Sequence, residues 1–133
     1  MAASAWQLYN SAKSHIGNGT ITLGAGVFKM VLAKAASNAS TFTLSAYSEI
    51  TNEVAAAGGY ATGGRALVPA TAQWTVGASA KQMKFTMSSI GLAFTASGAS
   101  LVNIKYAILR NSTGATAGRL LCWCQLSSSQ FTV

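Results

Sequence analysis

Acidic residues are the scarcest feature of this sequence. Its 133 residues include nine Lys and Arg, no Asp and only two Glu, Glu49 and Glu53, so the formal net charge is +7. Calcium loops, two-metal centres and aspartyl triads all depend on carboxylates. We therefore expect no enzyme, no metal site and no cofactor.

Long apolar runs are also missing. Half of the residues are hydrophobic and the mean hydropathy is +0.36, but much of this comes from Ala scattered among Ser, Thr and Gly. No stretch approaches the roughly 20 consecutive apolar residues that span a bilayer. The first residues lack the basic and apolar regions of a secretory signal. We expect a single domain with no membrane partner.

Cysteine and histidine are equally sparse. Cys122 and Cys124 are separated by one residue, so on a strand their Cα atoms would lie roughly 6.6 Å apart with parallel side chains. That geometry does not suit a disulfide. We expect two reduced core thiols in a protein made in a cytosol, and His15 lies too far away in sequence to add a metal site.

The N-terminal segment is predicted to form one short helix over residues 4–16. Ser4 can cap its start and Gly17 suits its end. The apolar residues recur at spacings of four, three and four and form one stripe beside Trp6: Ala5, Tyr9, Ala12 and Ile16.

Period-two alternation follows the helix and predicts eight or nine short strands, with a brief helical turn between 47 and 54. Turn signals separate the strands throughout. We therefore predict a mainly β, single domain over residues 1–133, an antiparallel β-sandwich or jelly roll with a short N-terminal helix. The predicted strands are 20–23, 27–33, 41–46, 73–76, 81–87, 90–95, 101–110, 119–126 and 130–133.

A glycine-rich loop occupies residues 58–65. Gly58 and Gly63 are five residues apart, as in a phosphate-binding loop, but a Gly-Arg pair stands where that motif needs Lys followed by Ser or Thr. No helical pattern follows to direct its N-terminus at a phosphate. We interpret the segment as a tight loop anchored by Tyr60.

The two glutamates, Glu49 and Glu53, are four residues apart and could share one helical face. Paired carboxylates run glycoside hydrolysis when they lie roughly 5 to 10 Å apart. We favour an exposed, solvated pair instead, because no aromatic platform for a sugar lies nearby in the sequence.

The positive charge is dispersed, and only Lys81 and Lys84 lie close together. There is no Arg-rich arm and no aromatic pattern of an RNA-binding sheet. Two interpretations stay open on this evidence. The chain could be a small basic β-barrel that binds single-stranded nucleic acid, or its charge could serve docking on an acidic protein surface or simple solubility.

Six segments carry a resemblance to a known family. Taken together and in this order, they resemble small virion proteins encoded by tailed bacteriophages. The segments are WQLYNSAK at 6–13, IGNGTI at 16–21, VFKM at 27–30, the Glu-Val, Gly-Tyr and Gly-Gly pairs within 53–64, IKYAILRN at 104–111 and LLCW at 120–123.

This resemblance implies a non-enzymatic structural part of a phage particle, made in the cytoplasm of the bacterial host. The expected role is a capsid decoration (cement) protein on the surface of the virion, commonly a small β-sandwich or jelly roll. Such a protein binds the major capsid protein across subunit boundaries, beside further copies of itself on the lattice. A head–tail or tail-associated position is the alternative.

Candidate contact residues follow from this expected role, because aromatic residues and Arg are enriched in interface cores. The alternative for Trp6 and Tyr9 is that the helix only caps an open end of the fold. The candidates are Trp6 and Tyr9 in the N-terminal segment and Tyr60 and Arg65 in the glycine-rich loop.

Overall fold

The computed structural model describes residues 3–23, 27–77, 79, 83–88, 96–112 and 117–133, with 68–76 and 83–88 described by their backbone alone. Over these residues the chain forms one small, mainly β domain with one short helix. The strands are β1 Gln7–Leu8, β2 Phe28–Lys34, β3 Arg65–Ala66, β4 Val68–Val76, β5 Met83–Ser88, β6 Ile104–Asn111 and β7 Leu120–Gln125; the helix is α1 Asn10–Gly17, and a 3₁₀ turn spans Tyr47–Glu49.

Five strands form one antiparallel sheet in the order β1-β7-β6-β2-β3. The central strand β6 pairs along its length with β2 on one side and with β7 on the other. The strands β4 and β5 pair with each other in a second, two-stranded sheet. The antiparallel, mainly β prediction is therefore confirmed, and the strands predicted at 27–33, 101–110 and 119–126 are the middle of the larger sheet.

Side chains are buried on both faces of this sheet. Neighbouring residues of β6 point to opposite faces, and Ala107 and Ile108 are both completely buried. One hydrophobic cluster contains Ile108 and Val31 and includes residues of α1, and another contains Ala107 and Leu32. Alternation along the central strands therefore assigns residues to one of two cores and does not separate buried from exposed residues.

The helix begins at Asn10, six residues later than predicted at Ser4. The preceding residues are extended beside β7, where Ser4 N–H donates to Gln125 O and Ser4 Oγ accepts the Gln125 N–H. These sheet bonds satisfy the backbone that a first helical turn would leave without partners. Tyr9 and Ala12 are completely buried, so the predicted apolar stripe holds from Tyr9 onward.

Two predicted strands are irregular. In the segment 20–23, Thr20 donates both its N–H and its hydroxyl to Asn18 Oδ1, so a local side-chain turn replaces strand pairing. The segment 41–46 consists of turns and contributes one bridge, from Ala46 to Arg119.

Three further predictions concern the second half of the chain. The strands predicted at 73–76 and 81–87 correspond to parts of β4 and β5. The one predicted at 90–95 lies outside the described residues. The C-terminal segment 130–133 pairs with Ile104, the first residue of β6, through reciprocal backbone bonds at Phe131. Val133 forms a second reciprocal pair with Leu101, just before β6.

Candidate functional site

The four candidate contact residues fall into two exposed and two buried side chains. Trp6 is 45% exposed and Arg65 is exposed, whereas Tyr9 is completely buried and Tyr60 is 4% exposed. The structure does not bring the four together. Of the four, Trp6 and Arg65 have exposed side chains.

Tyr9 is a packing residue at the junction between β1 and α1. Its hydroxyl donates a 2.6 Å hydrogen bond to Ala39 O inside the protein. Burial, with a smaller contribution from Cys122, raises the pKa of Tyr9 above its ordinary value. The side chain therefore fixes the start of the helix against the loop that contains Ala39.

Tyr60 anchors the glycine-rich loop, as predicted, but from inside the fold. Its hydroxyl donates to Glu53 Oε1 at 2.7 Å and accepts the Leu32 N–H at 3.0 Å. Burial, followed by the hydrogen bond to Glu53, raises the pKa of Tyr60 above its ordinary value. The loop is thereby fastened to strand β2.

Glu53 is the centre of this polar cluster, which contradicts the expected exposed glutamate pair. Besides Tyr60, its carboxylate accepts the Tyr47 hydroxyl on Oε2 and the Gly63 N–H on Oε1, the latter at 2.7 Å. Its backbone also forms a bridge with Ala33 in β2. These side-chain partners lie six to ten residues from Glu53. The sequence argument missed them because it compared Glu53 only with Glu49.

Glu49 has a separate, local role on the surface. Its Oε2 atom accepts the N–H groups of Ser45 and Ala46, both at 2.7 Å, and so satisfies donors at the start of the 3₁₀ turn. These two backbone hydrogen bonds, that of Ala46 first, lower the pKa of Glu49. The two glutamates therefore do not face a common reaction site.

Arg110 completes the cluster from strand β6. Its Nε atom donates to Gly63 O at 2.9 Å, and its guanidinium lies 4.4 Å from the centre of the Tyr47 ring. Burial, followed by the hydrogen bond to Glu53, raises the pKa of Tyr47 to about 12. Since the Tyr47 hydroxyl keeps its proton near neutral pH, it acts here as a donor that positions Glu53.

The β1 edge, which we define as residues 3–8, carries the exposed Trp6. Leu8 is also 41% exposed, and it alternates with Trp6, so both side chains lie on one face of the strand. Gln7 pairs with Trp123 of β7 and Leu8 with Cys122. Leu8 was not among the predicted contact residues, because residues 4–8 were predicted to be helical; the alternation of Trp6 and Leu8 was the signal for a strand.

The β3 edge, which we define as Arg65 and Ala66, lies at the opposite side of the same sheet. Arg65 pairs with Met30, and Ala66 pairs with Lys29. Lys29 in turn lies opposite Arg110. Arg65 shares its face of the sheet with Met30, whereas Lys29 lies on the other face with Arg110. This edge therefore has basic residues on both faces, whereas the β1 edge has none.

The helix is attached to the start of β7 through His15 in its last turn. Arg119 Nη1 lies 3.0 Å from His15 Nε2, and because a guanidinium only donates, the imidazole accepts this bond. Within the described ranges, no three His, Cys, Asp or Glu side chains gather as metal ligands would. Cys122 and Cys124 are buried, free thiols.

Comparison with known proteins adds no relative. No protein-family model, no curated protein and no solved structure matches this chain. In the part of the chain that the structure describes, no helix is long and apolar enough to cross a membrane. The likeness to virion proteins therefore depends on the six sequence segments alone.

Proposed function

We propose that the chain is a non-enzymatic structural protein of a tailed-phage particle, specifically a capsid decoration (cement) protein. One structural observation supports a bridging role: Trp6 and Arg65, the exposed candidate contact residues, lie at opposite edges of one sheet. A folded body with a contact at each edge can hold two neighbours on a shell at a fixed spacing. The family likeness suggests which shell it is.

Charge supports an acidic protein surface as the partner. The chain carries a formal charge of +7, and both of its glutamates already accept hydrogen bonds from its own backbone or hydroxyl groups. Complementary charge speeds and orients docking between proteins. We assign the capsid contact to the β3 edge, where the Arg65 side chain is exposed.

Many weak contacts are sufficient for such a role. A protein that binds only the closed arrangement of capsid subunits stabilises that arrangement by mass action. Copies that also touch one another on a symmetric lattice gain from effective concentration without any stronger single contact. The shell then resists opening although each copy binds modestly.

The proposal also includes a two-layered β architecture. In a β-sandwich or jelly roll, the β4–β5 sheet would pack across a face of the five-stranded sheet as a second layer. A crystal structure that shows these strands facing β2 and β6 would support this arrangement, and one that shows them extended away from the sheet would contradict it.

Quantitative mass spectrometry of purified particles from the encoding phage tests the function directly. The proposal expects one copy per major capsid protein, or a simple fraction of that ratio. A few copies per particle would place the chain at the portal, connector or tail. Complete absence from particles would contradict any virion role.

The salt dependence of DNA binding distinguishes the proposed function from the alternative, a domain that binds single-stranded nucleic acid. Binding to phosphates weakens steeply as salt rises, because condensed counterions are released. The proposal expects only weak binding to single-stranded DNA at 0.15 M salt. Tight binding with a steep salt dependence, together with absence from particles, would support a basic nucleic-acid-binding domain instead.

Substitution of Arg65 tests the capsid contact. Arg65→Ala should lower occupancy on particles at limiting protein concentration, whereas Lys13→Ala should not. The two variants remove the same charge, and Lys13 is an exposed residue of α1. Equal occupancy of the two variants would remove the β3 edge from the contact.

A further inference from the structure

The β1 edge has backbone groups that the fold does not use. Tyr9 N–H donates to Leu121 O, and Gln7 pairs with Trp123, so these two residues face β7. In an antiparallel ladder, alternate residues direct their N–H and C=O groups to opposite sides. Leu8 and Trp6 therefore direct theirs outward, and neither has a backbone hydrogen bond to any residue that the structure describes.

The unused stretch has defined ends. On one side, Asn10 N–H already donates to Phe42 O. On the other side, the regular alternation ends before Trp6, because Ser4, two residues earlier, donates its N–H to Gln125 O on the β7 side. The open edge is thus three residues long, from Trp6 to Leu8, and a partner strand can pair only there.

The residues of this edge lack the features that usually block strand pairing. Exposed edges in natural sheets are commonly protected by Lys, Pro or an inward-pointing charge. The β1 edge has the sequence Ala-Ser-Ala-Trp-Gln-Leu, without charge or proline, in a chain whose net charge is +7. Two copies of this basic protein can therefore approach each other along the β1 edge without placing charges from that edge face to face.

We propose that the β1 edge is a self-association site at which two copies pair their β1 strands antiparallel. With a two-fold axis beside Gln7, Trp6 of one copy lies opposite Leu8 of the other, and the reverse pair forms by symmetry. Both residues direct their backbone groups outward, so each pair exchanges two hydrogen bonds and the interface has four. The two Trp–Leu pairs cover four side chains that the single chain leaves exposed.

The β1 edge is self-complementary, and we therefore assign a second copy of the chain as the partner that binds it. The two outward-facing residues are placed symmetrically about Gln7, so one register satisfies all of the outward groups. The pairing joins two five-stranded sheets into one continuous sheet. The inference concerns the isolated chain and does not depend on the proposed virion function.

The pairing is expected to be weak, because an interface of three residues per strand lies well below the size of stable dimer interfaces. A dissociation constant on the order of 0.1–1 mM corresponds to such a contact. Association of this strength is measurable in concentrated solution.

Sedimentation velocity at about 0.05 to 2 mM protein in 0.15 M NaCl tests the proposal, since salt screens the repulsion between the two copies. The wild-type weight-average sedimentation coefficient should rise with concentration toward that of a dimer. Leu8→Lys should remove most of this rise. Val102→Lys is the matched control, because it adds the same charge at an apolar residue that is 44% exposed, close to the 41% of Leu8.

A second variant tests the backbone contact without adding charge. Leu8→Pro removes an outward N–H that the fold does not use, and proline is tolerated on the solvent side of an edge strand. It should also sediment as a monomer while unfolding as a single cooperative transition. If the wild type stays monomeric at 2 mM, or if Leu8→Lys and Val102→Lys lose association equally, the proposal is wrong.

Discussion

The two edges of the five-stranded sheet differ in both charge and support. The β1 edge is uncharged, and Trp6 and Leu8 extend into solvent from a strand attached only to β7. The β3 edge carries the exposed Arg65 and follows a loop held by the cluster around Glu53. The β1 edge thus has outward-facing backbone groups and exposed apolar side chains. The β3 edge has an exposed positive charge and follows a loop that buried hydrogen bonds hold in place.

This difference shows how one small sheet can offer two kinds of contact. A charged edge discourages pairing with another strand and favours an acidic surface. An uncharged edge with free backbone groups favours strand addition. The following predictions separate the two edges, from the largest expected effect to the smallest.

Gly64→Ala should destabilise the protein strongly, because Gly64 lies in the loop directly before the β3 edge. Gly64 has φ +87, and a Cβ there would lie 2.3 Å from Met30 O, which is backbone that cannot move without disturbing β2. We expect a loss of about 3 kcal/mol or more in the free energy of unfolding, measured by urea denaturation.

The matched control for this substitution is Gly98→Ala. Gly98 also has positive φ, at +77, but a Cβ there would meet nothing within 4 Å. Only the backbone cost of about 1–2 kcal/mol should appear. If Gly64→Ala and Gly98→Ala lower the free energy of unfolding equally, the close approach of Gly64 to β2 makes no contribution to the cost of the substitution.

Glu53→Gln should loosen the loop that leads to the β3 edge. The amide cannot accept hydrogen bonds from Tyr47, Tyr60 and Gly63 together, because half of it is a donor. We expect a loss of about 2–4 kcal/mol and faster amide exchange at Gly63. Glu49→Gln, at the exposed glutamate, should cost much less; a comparable loss would contradict a special role for Glu53.

Alkaline pH should destabilise the strand that supports the β1 edge. Burial, and next the neighbouring Cys124, raise the pKa of Cys122 to about 12, and burial raises the pKa of Cys124 to about 11. The unfolded chain loses these protons at lower pH than the folded chain, so the stabilisation is complete below about pH 8 and is lost as pH rises toward 11–12.

For Cys122 alone, this loss is about 1–2 kcal/mol between pH 8 and pH 10. Urea midpoints across this range measure it, and Cys122→Ala should flatten the profile. Both thiols should also react slowly with a thiol reagent at pH 8 until the protein unfolds. Rapid reaction of the native protein would contradict the burial of β7.

Two aromatic substitutions near the β1 edge should have small and unequal effects. Tyr9→Phe removes a buried hydrogen bond to Ala39 and should cost about 1 kcal/mol. Trp6→Ala changes an exposed side chain and should alter the free energy of unfolding by less than about 0.5 kcal/mol. A larger loss for Trp6→Ala, measured by thermal or urea denaturation, would mean that Trp6 supports the fold rather than a partner.

Sequence patterns predicted the middle of the fold better than its edges. Strands β2, β6 and β7 were predictable because apolar residues recur at every second position in each of them, as Phe28, Met30 and Leu32 do in β2. The β1 edge was missed because alternate and helical spacing overlap in residues 4–8, and the bonds from Ser4 to Gln125 decide between them. Those bonds join residues more than 120 positions apart, which local spacing does not reveal.

The candidate site around Glu53 and Tyr60 was predictable only in part. Tyr60 was correctly predicted to anchor the glycine-rich loop, although the same residue was also a candidate contact and is only 4% exposed. Its partner Glu53 was assigned to the surface, since spacing compared it with Glu49 and not with Tyr47 or Arg110. Glu53 bonds to residues six to ten positions away that a search for paired carboxylates does not compare, and Tyr60 also bonds to Leu32, 28 positions away.

Concentration-dependent hydrogen exchange measured by NMR tests the central difference between the edges most directly. Amide exchange at Trp6 and Leu8 should slow as the concentration rises from about 0.05 to 2 mM, where a weak dimer becomes populated. Exchange at Arg65 and Ala66 should stay constant over the same range. Slowing at the β3 edge, or no change at Trp6 and Leu8, would contradict the account.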